Sequence, residues 1–328
     1  RRKLLQNGTQ VSEVGLGCMG FAGFYGATSE QEAHHTLATA LDLGIDFLDT
    51  ANIYGMGLSE TIIGKFIKGD ADKFAIATKD AVWGDPETRK RGFNNAATHL
   101  STALDQSLTR LQVDQVALYY IHRRTPDVEI EQVMDTLLGF KAEGKFGGIG
   151  FSEISPASLR RACAVGPVDA VQSEYSLWSR SPELGMLQAC AELDVAFVPF
   201  SPVGRGIFAQ EIPDPKTFRN TDFRKDTPRF TEPNFGYNVT KINVFKALAQ
   251  DLGTHPTSLA IAWCLQRGPH LIPIPGTRSS AHLTQCADAS KFMMSAEIMT
   301  QIETVLPVGW AHGDRYTKAQ WNGPEGYC

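Results

Sequence analysis

The chain alternates between short apolar runs and longer segments with helical periodicity, and this alternation limits its possible folds more than any other feature. We predict strands over residues 15–18, 46–49, 74–79, 116–121, 148–152, 170–172, 196–201 and 271–275. The intervening segments predict helices over residues 29–43, 59–67, 94–111, 130–143, 156–165, 183–193, 257–267 and 281–287. Strand–helix units repeated in this way are typical of an α/β protein whose strands close into a (β/α)8 TIM barrel.

The predicted strands do not alternate between apolar and polar residues, as expected when helices cover the outer face and side chains fill the interior. A length of 328 residues, 42% of them hydrophobic, suits one large barrel. We therefore predict a single domain over residues 1–328, with an N-terminal hairpin in residues 4–11 and extra helices over 240–252 and 296–305. The stretch 204–237 is rich in Gly, Pro, Asp and Arg and predicts a long loop, which in a compact domain is usually functional.

Charge and cysteine usage exclude several classes of function. A formal net charge of −5 predicts no general affinity for nucleic acid. No apolar run approaches the ~20 residues of a membrane span, and no apolar stretch follows Arg1-Arg2-Lys3, so we expect no signal peptide. Six scattered cysteines without a C-x-x-C pair predict neither a disulfide framework nor a zinc site. They favour a reducing, cytoplasmic location. The oligomeric state is not predicted.

One motif points to a different fold. Residues 15–20 read GLGCMG and match G-x-G-x-x-G, the dinucleotide fingerprint of a Rossmann fold. That motif requires a helix directly after the glycine turn, to hold the pyrophosphate at its N-terminus. Here an aromatic and glycine-rich segment, residues 21–26, follows instead, and the predicted helix begins only near Ser29. The segment is better explained as a first barrel strand and its loop.

Four polar residues stand at or just after the ends of predicted strands. Asp49 ends the second strand and Tyr54 follows in its loop, while Lys79 and His122 come at the ends of the next two strands. Side chains at the carboxyl ends of barrel strands converge on one face, where the chemistry of such proteins takes place. Each residue alone has a structural explanation, as a turn cap, a packed ring, an exposed strand end or a satisfied histidine. Together they can deliver a proton to a carbonyl oxygen during hydride transfer.

The four residues divide that work by their chemistry. A free tyrosine has a pKa near ~10 and donates its proton reluctantly at neutral pH. The Lys79 ammonium would stabilise the phenolate and lower the pKa of Tyr54. Asp49 would keep Lys79 charged, because an unpaired buried ammonium loses its proton. His122 can donate to the carbonyl oxygen and orient it. We therefore predict Tyr54 as the proton donor.

The order and spacing of these residues resemble those of a known family. The segments DTANIYG, residues 49–55, and YYIHR, residues 119–123, are similar to motifs of the aldo-keto reductases, whose catalytic tetrad is Asp, Tyr, Lys and His. The resemblance covers essentially the whole chain. It implies a barrel that carries a nicotinamide cofactor in its mouth and acts on a small-molecule carbonyl or alcohol.

The resemblance also implies which residues contact the cofactor. Ser152 and Gln172 correspond to ligands of the carboxamide, and Phe200 stands where the family usually has a stacking tyrosine. Glu153 stands where the family usually has asparagine, so its contact is open. Gly20 is a further expected contact. The pyrophosphate is expected against the backbone of the following loop, with the charge of one arginine, in the residues Ser201, Pro202, Val203, Gly204, Arg205 and Gly206.

Residues 274–282 resemble the family's pocket for the adenosine 2′-phosphate. Arg278 offers a guanidinium fork, Ser279 a hydroxyl and His282 a donor in the first helical turn. The adenine contact is open, because Gln285 and Cys286 stand where relatives often have Glu-Asn. The segment has no acidic residue that would favour a free ribose hydroxyl, so we expect NADPH rather than NADH. The expected contacts are Gly276, Thr277, Arg278, Ser279, His282 and Gln285.

Two questions stay open at this point. A non-catalytic, nucleotide-binding regulatory subunit on the same barrel, like the potassium-channel β subunits, is the alternative to an enzyme. No accessory N-terminal segment is visible, which favours the enzyme. The substrate pocket is expected to take residues 21–25, Ile53, Trp83 and the 204–237 loop, which suits aromatic or bulky apolar carbonyl compounds. Trp83 has core packing as its alternative, and the preferred reaction direction is not predicted.

Overall fold

The structure is a computed structural model that describes residues 1–84, 91–220 and 222–328. Its strands are β1 (Arg2–Lys3), β2 (Gln10–Val11), β3 (Leu16–Gly17), β4 (Phe47–Asp49), β5 (Ala75–Asp80), β6 (Val82–Gly84), β7 (Arg91–Phe93), β8 (Val116–Ile121), β9 (Phe146–Ser152), β10 (Ala170–Glu174) and β11 (Ala196–Phe200). Its helices are α1 (Glu30–Asp42), α2 (Leu58–Ile67), α3 (Ala97–Leu111), α4 (Ile130–Ala142), α5 (Pro156–Val165), α6 (Met186–Glu192), α7 (Asn234–Asp251), α8 (Pro256–Gln266), α9 (Ser280–Asp288) and α10 (Ala296–Val305).

A parallel sheet forms the centre of the molecule. In the described residues it has seven strands in the order β11-β10-β9-β8-β5-β4-β3, so neighbouring strands follow one another around the barrel. Residues 271–276 lie between the two ends of this sheet. The Ile272 N–H donates to the Phe197 carbonyl at 2.8 Å, and the Gly17 N–H donates to the Pro275 carbonyl at 3.0 Å. These bonds close the sheet and confirm the predicted (β/α)8 barrel.

The closing segment makes isolated bridges instead of a regular ladder. The sequence explains this, because Pro273 and Pro275 have no N–H to donate. The carbonyls of Pro273 and Pro275 still accept hydrogen bonds from the N–H groups of Gly15 and Gly17, which lie directly before and in β3. Residues 271–276 therefore occupy the position of the eighth strand but form fewer hydrogen bonds than the neighbouring strands.

Side chains fill the barrel interior, and the hairpin of β1 and β2 covers its N-terminal end. The interior cluster includes Phe47, Ala77, Leu118, Tyr120, Ala170, Val198 and Ile272. Leu4, Leu5 and Val11 of the predicted hairpin join this cluster. Leu5 lies so close to Gly148 that a Cβ there would come within 2.4 Å of it. The carboxyl ends of the strands lie at the opposite end of the barrel, where barrel proteins have their active sites.

Three helices have a boundary that differs from the prediction by more than one residue. Helix α7 begins at Asn234, six residues before the predicted start at residue 240. The predicted loop over 204–237 is therefore shorter than expected. Residue 221 of this loop lies outside the described part of the chain. Pro233 directly precedes this helix, and proline is compatible with a helix start. The predicted helix over 183–193 is interrupted at Gly185, whose φ of 145° is not helical. Helix α3 begins at Ala97 because the Asn94 side chain accepts from the Ala96 N–H at 2.9 Å.

The segment after α10 folds back over the C-terminal face of the barrel. Trp310 donates from Nε1 to the Leu177 carbonyl at 2.6 Å, and the Glu325 carboxylate accepts from the Ser155 N–H at the start of α5. The six cysteines are all unpaired. Within the described ranges, no helix has the length and apolar character that crossing a membrane requires. The single domain over residues 1–328 stays a prediction.

Candidate active site

A cavity of about 280 Å³ opens at the carboxyl ends of the barrel strands. Its wall includes ten of the predicted site residues, namely Gly20, Asp49, Tyr54, His122, Ser152, Gln172, Phe200, Ser201, Arg205 and Gly276. Lys79 lies directly behind this wall and is fully buried. The four residues predicted from the strand ends therefore meet around one cavity.

The ion pair of Lys79 and Asp49 forms the floor of the site. The Lys79 ammonium donates to the Asp49 carboxylate and, at 2.7 Å, to the Thr50 carbonyl. Gln172 donates from Nε2 to the other oxygen of Asp49 at 2.7 Å. Two donors thus fix the carboxylate, and the carboxylate fixes the ammonium beneath the cavity.

Tyr54 lies between this pair and His122. The Lys79 Nζ is 5.2 Å from the centre of the Tyr54 ring. The imidazole of His122 meets the same ring nearly at right angles, with centroids 5.9 Å apart, and Phe24 meets it from another side at 6.0 Å. The position of His122 is set by its backbone, whose N–H donates to the Asp80 carbonyl at 2.8 Å. A carbonyl group in this cavity can contact both Tyr54 and His122.

The local sequence explains how Tyr54 reaches this place. The Asn52 N–H donates to the Lys79 carbonyl at 3.0 Å, which ties the loop after β4 to the neighbouring strand. Gly55 follows Tyr54 with a φ of 63°, and a Cβ there would lie only 2.9 Å from the Ala22 Cβ. Glycine therefore permits both the turn and the close approach.

Burial and the neighbouring positive charge change the pKa of Tyr54 in opposite directions. Burial raises the pKa of Tyr54, and the Lys79 ammonium lowers it without reversing the change. The expected lowering by Lys79 is therefore present, but the loss of solvation outweighs it and leaves the pKa of Tyr54 above its usual value. Burial also tends to lower the pKa of Lys79, but the charges and hydrogen bonds of Asp49 and Tyr54 together outweigh it, and the pKa is raised. Lys79 is therefore a cation at neutral pH.

Asp80 follows Lys79 in the chain and gives the protein a pH-dependent element of stability. Burial, followed by the nearby Glu60 carboxylate, raises the pKa of Asp80 to about 7. The folded state thus binds a proton that the unfolded state has released, and stability falls as pH rises toward and through this pKa. We expect wild type to lose about 1 kcal/mol of unfolding free energy between about pH 6 and about pH 8.5.

Asp80→Asn removes the titration while keeping the shape of the side chain. Its unfolding free energy in urea is expected to lack that fall, so its advantage over wild type grows with pH. The exposed substitution Asp72→Asn serves as the control. Parallel pH curves for wild type and Asp80→Asn would show that Asp80 does not titrate in this range.

Glu153, the residue that departs from the family pattern, turns away from the cavity. Its carboxylate is fully buried and accepts from Arg315 at 2.7 Å and from the Glu174 N–H at 2.9 Å. Ser152 next to it lines the cavity and accepts from Arg123 at 3.0 Å. The contact of Glu153, which the sequence left open, is thus with the C-terminal segment through Arg315.

The loop after β11 presents its backbone and one ring to the cavity. Phe200 and Ser201 line the wall, Pro202 and Gly204 are buried beneath it, and Val203 and Gly206 are partly exposed. Its arginine also lines the cavity, and its expected contact with the pyrophosphate stays a prediction. The Arg205 guanidinium pairs with Glu174 at 2.6 Å and donates to the Arg315 carbonyl at 2.6 Å, so a local carboxylate already compensates its charge.

Within residues 276–285, the cavity wall includes Gly276, and the other expected contacts lie outside its lining. Gly276 lies against Gly17 on the wall, and the Ser279 hydroxyl caps α9 by accepting from the His282 N–H. Arg278 is partly exposed and donates to the Ala27 carbonyl at 2.5 Å. The remaining expected contacts differ in accessibility. Thr277 and Gln285 are partly exposed, His282 is exposed, and the Cys286 side chain is buried in the core.

The C-terminal segment supplies wall residues that the sequence analysis missed. Tyr316, Gln320 and Asn322 line the cavity together with the predicted Phe24, Tyr25 and Ile53. The only sequence signal was an aromatic and glycine-containing stretch after the last helix. The predicted loop contributes Phe223. Trp83 is 43% exposed and packs over Gly92 in the hairpin of β6 and β7, so it joins neither the wall nor the core.

Comparisons with known proteins agree with this geometry. Residues 13–307 match the profile of the Aldo/keto reductase family. The chain is 36% identical over 311 residues to an aldo-keto reductase of Schizosaccharomyces pombe whose name specifies NADP(+), covering 93% of this chain and 92% of that protein. It is also 36% identical over 318 residues to a probable aldo-keto reductase of Glycine max, covering 96% and 91% of the two chains. The structure of the glycerol dehydrogenase from Gluconobacter oxydans superposes with a TM-score of 0.84 and 25% identity, covering 93% and 94%.

Proposed function

The chain belongs to the aldo/keto reductase family, and we propose that it is an NADP(H)-dependent oxidoreductase that interconverts aldehydes or ketones and alcohols, with Tyr54 as the proton donor. The observation that carries this proposal is the buried pair of Lys79 and Asp49 directly beneath Tyr54, with His122 against the same ring. An ammonium kept charged by Asp49 at this depth, next to a tyrosine on the cavity wall, suits the stabilisation of a phenolate when that tyrosine gives up its proton.

The cavity has the features that a nicotinamide cofactor requires. Phe200 offers a flat apolar face, and Ser152 and Gln172 place a hydroxyl and an amide on the same wall. Arg278 and Ser279 follow the wall residue Gly276 in the chain and would hold a 2′-phosphate. NADPH supplies a hydride to the carbonyl carbon when bound. The name of the S. pombe relative supports the choice of the phosphorylated cofactor.

The remaining steps belong to the side chains. His122 hydrogen-bonds the carbonyl oxygen and orients it toward Tyr54. The Tyr54 hydroxyl donates its proton as negative charge develops on that oxygen, and the Lys79 ammonium stabilises the resulting phenolate. Asp49 keeps Lys79 in place and charged. Solvent returns the proton to Tyr54, and in alcohol oxidation the same groups act in the reverse order.

A substrate panel tests the proposal. We expect the purified protein to oxidise NADPH in the presence of aldehydes or ketones, and to reduce NADP⁺ in the presence of the corresponding alcohols, followed at the absorbance of the reduced nicotinamide. Tight NADPH binding without turnover of any compound would instead support a non-catalytic regulatory protein. The proposal further includes a cytoplasmic location, which the unpaired cysteines support.

Arg278→Ala tests the cofactor choice. The guanidinium is expected to hold the 2′-phosphate by charge-assisted hydrogen bonds worth about 1.5–3 kcal/mol. Its loss should therefore weaken NADPH binding about 10- to 100-fold. The binding of NADH, which lacks that phosphate, should stay nearly unchanged. Fluorescence titration with both nucleotides measures the two constants.

The control addresses the other contact of this residue. Arg278 also donates to the Ala27 carbonyl. If its role were purely structural, the substitution would weaken the binding of both nucleotides equally. Arg160→Ala removes a charge from an exposed surface pair with Glu192 and should change neither constant. Equal losses for NADPH and NADH in Arg278→Ala would show that this residue does not read the phosphate.

A further inference from the structure

Arg123 differs from the other buried arginines around the cavity. It is 8% exposed, lines the wall and directly follows His122. Arg205 pairs with Glu174, Arg315 pairs with Glu153, and the adjacent Arg124 pairs with Glu325 at 2.6 Å. In the described parts of the chain, no carboxylate lies within ion-pair distance of Arg123. A buried cation without a counter-ion is costly, and such groups are usually paired.

The hydrogen bonds of Arg123 leave most of its donors free for a ligand. Its Nη1 donates to the His122 carbonyl at 2.6 Å and to the Ser152 hydroxyl at 3.0 Å. The other guanidinium nitrogens make no hydrogen bond to a described residue, although a guanidinium carries five N–H donors. Its aliphatic part is covered by Gly323, where an added Cβ would lie 3.3 Å from Cδ. The side chain is thus fixed with its charge at the cavity.

The nearby carboxylates all have closer partners than Arg123, although the Glu153 carboxylate is near enough to interact electrostatically with its charge. Both oxygens of Glu153 accept from Arg315, and Glu174 accepts from Arg205 and the Ser179 hydroxyl. Asp49, the carboxylate on the wall, accepts from Lys79 and Gln172. The cavity therefore offers a surplus of positive charge beside the proton donor, and this surplus is what an anionic ligand requires.

We propose that Arg123 binds a carboxylate of the substrate, so that the preferred substrates are aldehydes or ketones that also carry a carboxylate group. The inference rests on the proposed function and gives it a substrate class. The planar guanidinium matches a carboxylate in shape and charge. The aromatic wall, with Phe24, Tyr25, Phe223 and Tyr316, suits a ring between the two polar groups. The proposal adds a carboxylate to the aromatic or bulky apolar carbonyl compounds expected from the sequence.

Carboxybenzaldehydes and their methyl esters provide a matched test. The 2-, 3- and 4-isomers place the charge at different distances from the carbonyl, and each ester removes the charge while keeping the ring. In wild type, we expect at least one acid to have a lower KM than its ester. Arg123→Gln keeps a donor toward Ser152 but removes the charge, and should raise the KM of that acid about 10- to 100-fold. The KM of the ester and the Kd of NADPH should change little.

Two further variants separate charge from structure. Arg123→Lys keeps the charge without the fork and should give an intermediate KM for the acid. Arg160→Gln removes one positive charge from the exposed surface and should behave as wild type. Equal KM increases for acid and ester in Arg123→Gln, or a change confined to NADPH binding, would overturn the inference and assign Arg123 to structure or to the cofactor.

A binding measurement keeps this inference separate from the proposed function. Calorimetric titration of the NADP⁺-bound protein with benzoate and with benzamide needs no turnover. We expect benzoate to bind wild type at least about tenfold more tightly than Arg123→Gln, and benzamide to bind both alike. If no carbonyl compound is turned over but this benzoate difference is found, the oxidoreductase proposal fails and the Arg123 assignment stands. Equal or absent benzoate binding in the two proteins would refute the assignment.

Discussion

Tyr54→Phe is expected to lower kcat for carbonyl reduction by ~10²–10⁴-fold while the Kd of NADPH changes little. The substitution removes only the hydroxyl, which carries the transferable proton. The ring contacts with Phe24 and His122, at 6.0 and 5.9 Å, are kept, so the cavity should keep its shape. Steady-state kinetics with a good aldehyde and fluorescence titration with NADPH measure the two effects separately.

The same chemical change elsewhere in the chain is the control. Tyr237 is 56% exposed on α7, and Tyr237→Phe removes a hydroxyl that faces solvent. Its kcat should equal that of wild type. The acid role is wrong for Tyr54 if the phenylalanine variant retains more than a tenth of the wild-type kcat. A rise in the Kd of NADPH equal to the fall in kcat/KM would instead give Tyr54 a binding role.

The parts of the fold that the sequence predicted rest on local signals. The barrel follows from apolar runs that alternate with helical periodicity, and each run can be recognised without knowing its partners. The four residues at the strand ends were predictable for the same reason, because a strand end is a local feature and parallel strands bring such ends together. Residues 271–276 show the limit, since two prolines reduce the hydrogen bonding of a strand that its apolar character still indicates.

The missed features depend on contacts between distant parts of the chain. Arg315 meets Glu153 across 162 residues, and nothing near either residue indicates the other. That pairing explains why Glu153 leaves the wall and why the C-terminal segment enters it. Arg205 is expected from the family resemblance to face a phosphate, and nothing in the sequence indicated its ion pair with Glu174. The partner of a charged side chain is decided by tertiary structure, which a short motif does not contain.

The sign of the pKa change at Tyr54 was also beyond the sequence. The spacing of residues 54 and 79 predicted that an ammonium would lie near the hydroxyl, and it does. The depth of the site was not predicted, and the loss of solvation there raises the pKa by more than the charge lowers it. Local patterns indicate which groups meet, whereas burial decides which of two opposing effects is larger.

Lys79→Met is expected to damage both catalysis and folding. Without the ammonium, the phenolate loses its stabilising charge, and kcat should fall by ~10²–10³-fold. Because Lys79 is the largest influence that lowers the pKa of Tyr54, its removal should raise that pKa further and move the alkaline limb of the pH–rate profile upward. Asp49 would also be left as an unpaired buried carboxylate, which costs about 3–5 kcal/mol of unfolding free energy.

A double variant separates these two effects. Asp49→Asn combined with Lys79→Met replaces the ion pair by two neutral side chains of similar size, so no buried charge is left alone. Its unfolding free energy in urea should recover most of the loss seen in Lys79→Met, since replacing both partners of a buried pair is often nearly neutral. Its kcat should stay as low as that of the single variant, because the phenolate still has no cation beside it. Recovery of kcat together with stability would mean that Lys79 serves only to compensate Asp49, and its role in stabilising the Tyr54 phenolate would then be wrong.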